Sequence, residues 1–222
     1  MRRGGRAARL AAARPVSDVS RRTPGSGPPA PLLVLACGAL AREIRDLMEA
    51  NAWGHVRLHA LPAILHNHPG RIVPAVEAAL DAIPHERALV AYADCGTGGD
   101  LARLCAAREV PMLPGAHCYA FYQGIAAFEA RADADMRVFY LTDFLVRQFD
   151  AFVTRPLGLD RHPDLAATYF GGYERLVHLA QTEDAALTEC ARDIAARLGL
   201  AFERRATGYG DLAPLLAAEA DR

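Results

Sequence analysis

Short apolar runs alternate along most of the chain with segments whose apolar residues stand three or four positions apart. The short runs have the length and composition of β-strands, and the intervening segments have the spacing of helices. This alternation predicts a doubly wound, Rossmann-like α/β fold with a mostly parallel sheet, right-handed crossovers and helices on both faces. The predicted strands are residues 31–36, 56–60, 88–93, 110–113, 137–141 and 200–204.

The last third of the chain has mainly helical spacing, which predicts a helical C-terminal part. One helix is predicted over residues 166–180, with a bend near Gly171, and another over residues 182–198. Thr182 is expected to cap the N-terminus of the second helix, and Gly199 to follow its C-terminus. Earlier helices are predicted over residues 39–52, 72–83, 101–108, 119–130 and 142–152.

The first thirty residues differ in composition from the remainder. They hold seven arginines against one acidic residue, Asp18, and show no apolar periodicity. A disordered tail is therefore predicted for residues 1–30, and a single α/β domain for residues 31–222. An export signal ending at Cys37 is the alternative, but the apolar stretch before Cys37 is shorter than the roughly 7–15 residues of a signal core.

Charge and composition exclude several classes of function. The net charge is −1, so the chain beyond its arginine-rich start is acidic, and no nucleic-acid partner is expected. No apolar stretch approaches the roughly 20 residues that span a bilayer, and no membrane partner is expected. All 25 basic residues are arginine, which excludes a Schiff-base or P-loop lysine. The odd count of five cysteines favours a reducing, cytoplasmic location.

Three cysteines stand just beyond predicted strands: Cys37, Cys95 and Cys118. In a parallel sheet the residues beyond the strand ends gather at one edge, where ligands bind at the topological switch point. The three thiols are therefore predicted to share one site. Cys105 and Cys190 lie within apolar helical patterns instead, and both are predicted to be core residues.

Thiolate and imidazole groups are among the ligands that zinc prefers in proteins. Cys37, Cys95 and Cys118 are thus predicted zinc ligands, together with His66. His117 is adjacent to Cys118, so their side chains tend to diverge, and His117 is expected to contact substrate or support a ligand. The alternative is core packing, because cysteine is often buried and the spacing matches no compact zinc motif.

Other polar residues occupy similar positions after strands. The glycine-rich loop over residues 94–100 can direct backbone N–H groups at an anion, although a plain tight turn is an equal alternative. Thr142 is predicted to contact substrate, or alternatively to cap a helix. Tyr209 lies between two glycines and is predicted to sit on a loop that closes over the site. The loop residues predicted to contact substrate are Gly96, Thr97 and Gly98.

An ordered set of short motifs runs through the chain. The set comprises Ala36-Cys37-Gly38 with Glu43, His66 before Pro69, Tyr92 through Gly96, His117-Cys118, Phe139 through Thr142, and Gly208-Tyr209-Gly210. In these motifs the chain resembles the bacterial and archaeal family catalogued as domain of unknown function 1638, over residues 31–212. Members of that family often have an acidic residue between the histidine and the third cysteine, whereas His117 and Cys118 are adjacent here.

The resemblance implies a site centred on cysteine and histidine, and it suggests corrinoid methyl-transfer proteins as partners in one-carbon metabolism. The leading prediction is a zinc-dependent enzyme that acts on a small polar substrate. One alternative is a non-catalytic protein that handles a metal or cofactor. The other is a metal-free thiol enzyme in which Cys95 is the nucleophile, which requires a lowered thiol pKa.

Overall fold

The computed structural model describes residues 29–222, so nearly all of the predicted tail lies outside the described residues. The strands are β1 (Leu32–Cys37), β2 (Val56–Leu61), β3 (Arg87–Ala91), β4 (Val138–Thr142), β5 (Arg175–Ala180) and β6 (Ala201–Ala206). The α-helices are α1 (Ala41–Ala50), α2 (Ile72–Ala82), α3 (Asp100–Ala107), α4 (Cys118–Gln123), α5 (Ile125–Ala130), α6 (Asp143–Arg147), α7 (Leu165–Phe170), α8 (Ala185–Arg197) and α9 (Leu212–Ala220).

The described chain forms two compact units, each built on its own three-stranded parallel sheet. The first unit comprises residues 29–121 and 211–222, and the second comprises residues 122–210. The predicted α/β fold with parallel strands is confirmed. The predicted single sheet is wrong, because β4 pairs with β5 and not with a strand of the first sheet.

The first sheet has the strand order β2-β1-β3. All six residues of β1 are buried, as expected for an apolar strand that is paired on both sides. The chain leaves β1 for β2 on one side and then returns to β3 on the other, so a topological switch point lies between β1 and β3. The predicted strand over residues 110–113 is reduced to one parallel bridge, between Met112 and Val90 of β3.

The second sheet has the strand order β4-β5-β6, again with all strands parallel. Its central strand, β5, is buried along five of its six residues. The helix predicted over residues 166–180 is therefore wrong in its second half. Only Leu165–Phe170 is helical, and the apolar run Arg175–Ala180 is a strand paired on both sides.

Two further predictions, both about helix α8, are wrong. Its N-cap is Asp184, whose carboxylate accepts the Leu187 N–H at 3.0 Å, and not Thr182. Cys190 is exposed rather than part of the core, because it lies about 80° around the helix from the centre of the buried face. That buried face consists of Leu187, Ala191, Ile194 and Ala195.

Two predicted helices are shorter than their sequence spacing suggested. The helix predicted over residues 119–130 is interrupted at Gly124, whose φ of 88° lies in a region that favours glycine. The helix predicted after Thr142 ends at Arg147 and is followed by a π-helical turn, Asp150–Thr154. No helix within residues 29–222 combines the length and apolar character needed to cross a bilayer.

Candidate functional site

The first sheet carries the three cysteines at its carboxyl edge. Cys37 is the last residue of β1, Cys95 lies four residues beyond β3, and Cys118 begins α4. The backbone N–H of Asp94 donates to the Gly115 carbonyl at 3.0 Å, and that of Cys95 donates to the Ala116 carbonyl at 2.9 Å. These two hydrogen bonds bring the loop after β3 alongside the segment that leads to Cys118.

The closest thiols are those of Cys95 and Cys118, whose Sγ atoms lie 3.3 Å apart. The hydrogen bond from the Cys118 S–H lowers the pKa of Cys95 against the opposing effect of burial. The same contact with Cys95, followed by burial, raises the pKa of Cys118 well above its ordinary value. Of the two, Cys95 is the thiol that ionises more readily, with the Cys118 S–H as the donor that favours it.

Cys37 and Tyr92 form the deeper part of the site. Cys37 is 4% exposed and Tyr92 is 1% exposed. Burial, and then the neighbouring Cys37, raise the pKa of Tyr92, while burial raises the pKa of Cys37 to about 11. Both groups consequently remain protonated at neutral pH. The Tyr92 hydroxyl donates towards the Cys37 sulfur and also interacts electrostatically with Cys95 and Cys118.

Two histidines pack against Tyr119, the residue that follows Cys118. The ring centroid of Tyr119 lies 6.5 Å from that of His66 and 6.2 Å from that of His117, so one tyrosine ring contacts both imidazoles. Although His66 keeps exposed surface, the atoms packed around its ring displace water and lower its pKa, and the nearby His117 lowers it further. The lowered pKa favours the neutral form of the His66 imidazole.

The loop after β3 has an unusual backbone. Cys95 has a φ of 48° and Gly96 a φ of 82°, both in the left-handed region that disfavours residues with a Cβ. A Cβ atom on Gly96 would lie 3.3 Å from the Pro69 ring, which belongs to the turn just after His66. The strained Cys95 conformation is thus maintained by the hydrogen bonds and packing on either side of it.

The amide groups of this loop bind a carboxylate of the chain itself. Asp94 accepts the Gly99 N–H at 2.7 Å and the Gly98 N–H at 3.2 Å, and its side chain also accepts the Thr97 hydroxyl at 2.9 Å. The Gly99 N–H is the main cause of the lowered pKa of Asp94. The donors of Gly98 and Thr97 are therefore engaged by Asp94, and substrate contact at Gly96, Thr97 and Gly98 stays a prediction.

The donor types suit zinc, but their spacing does not form a complete site. Among residues 29–222, no group of three or more His, Cys, Asp or Glu side chains is arranged to hold a metal ion. Cys95 and Cys118 are in contact and Cys37 interacts electrostatically with both, but these thiols do not form a preformed metal site with either histidine. A four-ligand zinc site would require some of these side chains to move.

Two residues predicted for the site belong to the second unit. Thr142 caps α6, since its hydroxyl accepts the Leu145 N–H at 3.3 Å. Tyr209 is buried between Gly208 and Gly210, both of which have positive φ. The capping role proposed for Thr142 as an alternative is confirmed, while contact of either residue with substrate stays a prediction.

Sequence reasoning missed three polar features. Tyr92 was overlooked because its hydroxyl falls inside an apolar strand pattern. The other two lie in the second unit: His178, which pairs with the buried Asp143, and the carboxylate of Asp135, which binds several arginines. His178 also lies within an apolar strand. For both Tyr92 and His178, the available sequence signal was therefore a polar side chain in an otherwise apolar run, which indicates a buried polar group.

A large surface cavity lies away from the cysteines. It has a volume of about 410 Å³ and borders the amino-terminal ends of the strands of the first sheet. Its lining residues are Pro31, Leu32, Leu33, Arg57, Pro84, His85 and Glu86. Since this is the edge opposite the carboxyl ends, the cavity adds nothing to the thiol site.

A family model described as "Protein of unknown function (DUF1638)" matches residues 60–216 of the chain. The matched segment contains Cys95, Cys118 and both histidines of the site, and Cys37 precedes it. Comparison with curated proteins gave no significant match, and neither did comparison with solved structures.

Proposed function

Because the chain belongs to the family described as "Protein of unknown function (DUF1638)", we propose a function from the geometry of its own cysteines. Cys95 is the nucleophile of a thiol enzyme that acts on a small, polar, electrophilic molecule. The observation that carries this proposal is the 3.3 Å contact between the Cys95 and Cys118 sulfur atoms. A thiol that donates to its neighbour stabilises the neighbour's thiolate, and the thiolate is the reactive form of cysteine.

The proposed reaction begins with attack by the Cys95 thiolate on an electrophilic carbon of the substrate. A carbon–sulfur bond forms, and the leaving group departs with its electron pair. Tyr92 is suited to stabilise charge that develops during this step, because its buried O–H stays protonated and interacts with Cys95 as well as with Cys37 and Cys118. The neutral imidazole of His66 is suited to accept a proton from a bound substrate.

The position of Cys95 in the fold supports this role. It lies on the loop after β3, at the carboxyl edge where open α/β sheets bind their ligands. Its φ of 48° is an uncommon conformation for a residue with a Cβ, and such backbone strain concentrates at functional positions. Cys105, by contrast, is a buried helical cysteine with a pKa raised by burial, as expected of a core residue.

Alkylation by iodoacetamide, mapped by mass spectrometry across a range of pH, tests the proposal. We expect Cys95 to react with a midpoint below the ordinary cysteine pKa of about 8.5. Replacing the donor in Cys118→Ala should move that midpoint to higher pH. Cys190→Ala is the matched control, because Cys190 is exposed and distant in sequence from the pair, and its loss should leave the Cys95 profile unchanged.

A Cys95 that reacts only above the ordinary pKa would overturn the thiol-enzyme proposal. So would a Cys118→Ala profile identical to the wild-type profile, because the contact between the two sulfur atoms would then have no chemical effect. Circular dichroism of each variant establishes that the fold is retained before the profiles are compared.

Zinc binding is the second candidate function, and a different observation favours it. Three cysteines converge on one sheet edge, where Cys95 interacts electrostatically with Cys37, and both of them interact with Cys118. These are soft ligands of the kind that zinc takes, with His66 as the fourth. Because no described set of three is preformed for a metal ion, this proposal requires the ligands to rearrange on binding.

Elemental analysis of protein purified without a metal-binding tag separates the two functions. About one zinc per chain, lost in both Cys37→Ser and Cys95→Ser, would support the metal site. Absence of zinc from protein that is purified anaerobically from cells grown with added zinc would eliminate the metal site and leave the thiol enzyme. Rapid transfer of bound zinc to a chelator without any turnover would instead favour a metal-handling carrier.

Corrinoid methyl-transfer proteins are proposed partners, supported by the family resemblance alone. A thiolate can attack a cobalt-bound methyl carbon, so that the sulfur–carbon bond forms and the electron pair of the cobalt–carbon bond stays on cobalt. Incubation with methylcobalamin should then add one methyl group to Cys95, detected by mass spectrometry. Cys95→Ser is the control, because it lacks the attacking sulfur. If the wild type, like this variant, leaves the methyl group on cobalt, the partnership is contradicted.

A cytoplasmic location is proposed on the basis of cysteine chemistry. All five cysteines are free, and the Cys95 thiolate would be lost by oxidation in a disulfide-forming compartment. Fractionation of cells, with detection by an antibody against the protein, tests the proposal, and recovery in an exported fraction would overturn it.

A further inference from the structure

Two thiols in contact can do more than activate one of them. The sulfur atoms of Cys95 and Cys118 are 3.3 Å apart, and a disulfide requires a sulfur–sulfur distance of about 2.05 Å. Closure therefore needs an approach of only about 1.2 Å. Both residues keep part of their surface exposed at the edge of the sheet, and the Cys95 thiol is the less enclosed of the two.

We propose that Cys95 and Cys118 form a reversible disulfide in response to hydroperoxides, with Cys118 as the resolving cysteine. This inference rests on the proposed function, because the oxidant reacts with the same Cys95 thiolate. The disulfide blocks the nucleophile, so oxidation switches the enzyme off, and reduction by a dithiol restores it.

The reaction balances in two steps. The Cys95 thiolate attacks one oxygen of the hydroperoxide, the oxygen–oxygen bond breaks, and a sulfenic acid forms while the second oxygen leaves and takes up a proton. The Cys118 sulfur then attacks the Cys95 sulfur, and the hydroxyl group leaves as water with the Cys118 proton. Two thiols lose two electrons and two protons, and hydrogen peroxide is reduced to two waters.

The placement of the two cysteines favours this pairing over a disulfide with Cys37. Cys95 and Cys118 lie on adjoining segments joined by the hydrogen bond from the Cys95 N–H to the Ala116 carbonyl. Cys37 is the terminal residue of a strand paired on both sides and is almost completely buried, and the sulfur in contact with Cys95 is that of Cys118. Cys37 is therefore poorly suited to serve as the resolving thiol.

The experiment treats the full-length protein with hydrogen peroxide, blocks remaining thiols with iodoacetamide, and maps the peptides without reduction. We expect the Cys95 and Cys118 peptides to be linked, and dithiothreitol to separate them. In Cys118→Ser the sulfenic acid on Cys95 should persist and be trapped by dimedone. Cys37→Ser is the matched control and should still form the disulfide.

Several outcomes would overturn the inference: no linked peptides, sulfinic acid on Cys95 without linkage, or equal dimedone labelling of wild type and Cys118→Ser. The alkylation profile separates this failure from failure of the proposed function. A Cys95 that alkylates at low pH but forms no disulfide defeats the redox inference alone. A disulfide that forms without any low-pH alkylation defeats the nucleophile proposal alone.

Discussion

The Nε2 atom of His178 lies 2.9 Å from the Oδ1 atom of Asp143, and the two side chains are 1% and 0% exposed. Asp143 follows β4 and His178 lies within β5, so the contact joins two neighbouring strands of the second sheet. The Asp143 carboxylate also accepts the Thr182 hydroxyl at 2.6 Å and the Gln181 N–H at 3.3 Å. Burial alone would raise the pKa of Asp143, but these hydrogen bonds outweigh it and keep the carboxylate ionised.

Asp143→Asn should lower the free energy of unfolding by about 3 kcal/mol, because it removes a buried charge that several donors surround. Asp184→Asn is the control, since asparagine retains the N-cap function and should change stability by less than about 0.5 kcal/mol. Urea unfolding followed by circular dichroism measures both. Equal stability of the two variants would show that the buried carboxylate contributes no net stabilisation.

Asp135 holds together the start of the second sheet. Its side chain is 4% exposed and accepts a hydrogen bond from Arg175 at 2.7 Å, from Arg205 at 2.7 Å and from the Tyr140 hydroxyl at 2.6 Å. Hydrogen bonding from Arg205 is the main reason that the pKa of Asp135 is far below its ordinary value.

Asp135→Asn is therefore expected to destabilise the protein by about 3 kcal/mol at neutral pH. The pKa of the Asp135 carboxyl is lower in the folded protein than in the unfolded chain, where it is near 4. The ionised carboxylate therefore stabilises the fold above about pH 4, and this stabilisation is lost as the pH falls below that value. The stability difference between wild type and variant should shrink there. Asp133→Asn, an exposed neighbour, is the control, and a pH-independent difference would contradict the assignment.

Gly38 follows Cys37, and its Cα approaches the segment after β2. A Cβ at this position would lie 2.7 Å from the Leu61 carbonyl oxygen and 2.9 Å from the Ala63 nitrogen. Gly38→Ala should cost about 1–3 kcal/mol of stability, since backbone atoms must move to admit the methyl group. Gly70→Ala is the matched control, because nothing lies within 4 Å of its added Cβ. Thermal unfolding that does not distinguish the two variants would refute the close approach.

The pKa of His66 offers a direct test of the histidine pair. Burial lowers it, and the charge of His117 lowers it further, so NMR titration should give a value below the ordinary 6.5. His117→Asn removes the second cause and should raise the pKa of His66 towards 6.5. His68→Asn, which alters an exposed histidine in the same turn, is the comparison variant. A His66 titration unaffected by His117→Asn would mean that the two rings do not interact.

The local sequence determined where most strands and helices lie. The continuous apolar run of β1 reads as a buried parallel strand, and the structure buries all six of its residues. The same reasoning failed at β5, because the apolar spacing of residues 175–180 fits one face of a helix as well as a buried strand. Pairing with β4 and β6 decided the outcome, and those partners lie more than twenty residues away in sequence.

The sequence by itself determined that Cys37 and Cys95 lie at or just beyond the ends of apolar strands, because that depends only on local apolar patterning. Only the tertiary structure decided that Cys95 and Cys118 touch while no described group of three ligands is arranged for a metal ion. Side-chain distances at a sheet edge depend on loop conformation and strand pairing, here on the hydrogen bond from Cys95 to the Ala116 carbonyl. Such long-range hydrogen bonds do not alter the spacing of apolar residues, so they cannot be predicted from the pattern of the amino-acid sequence.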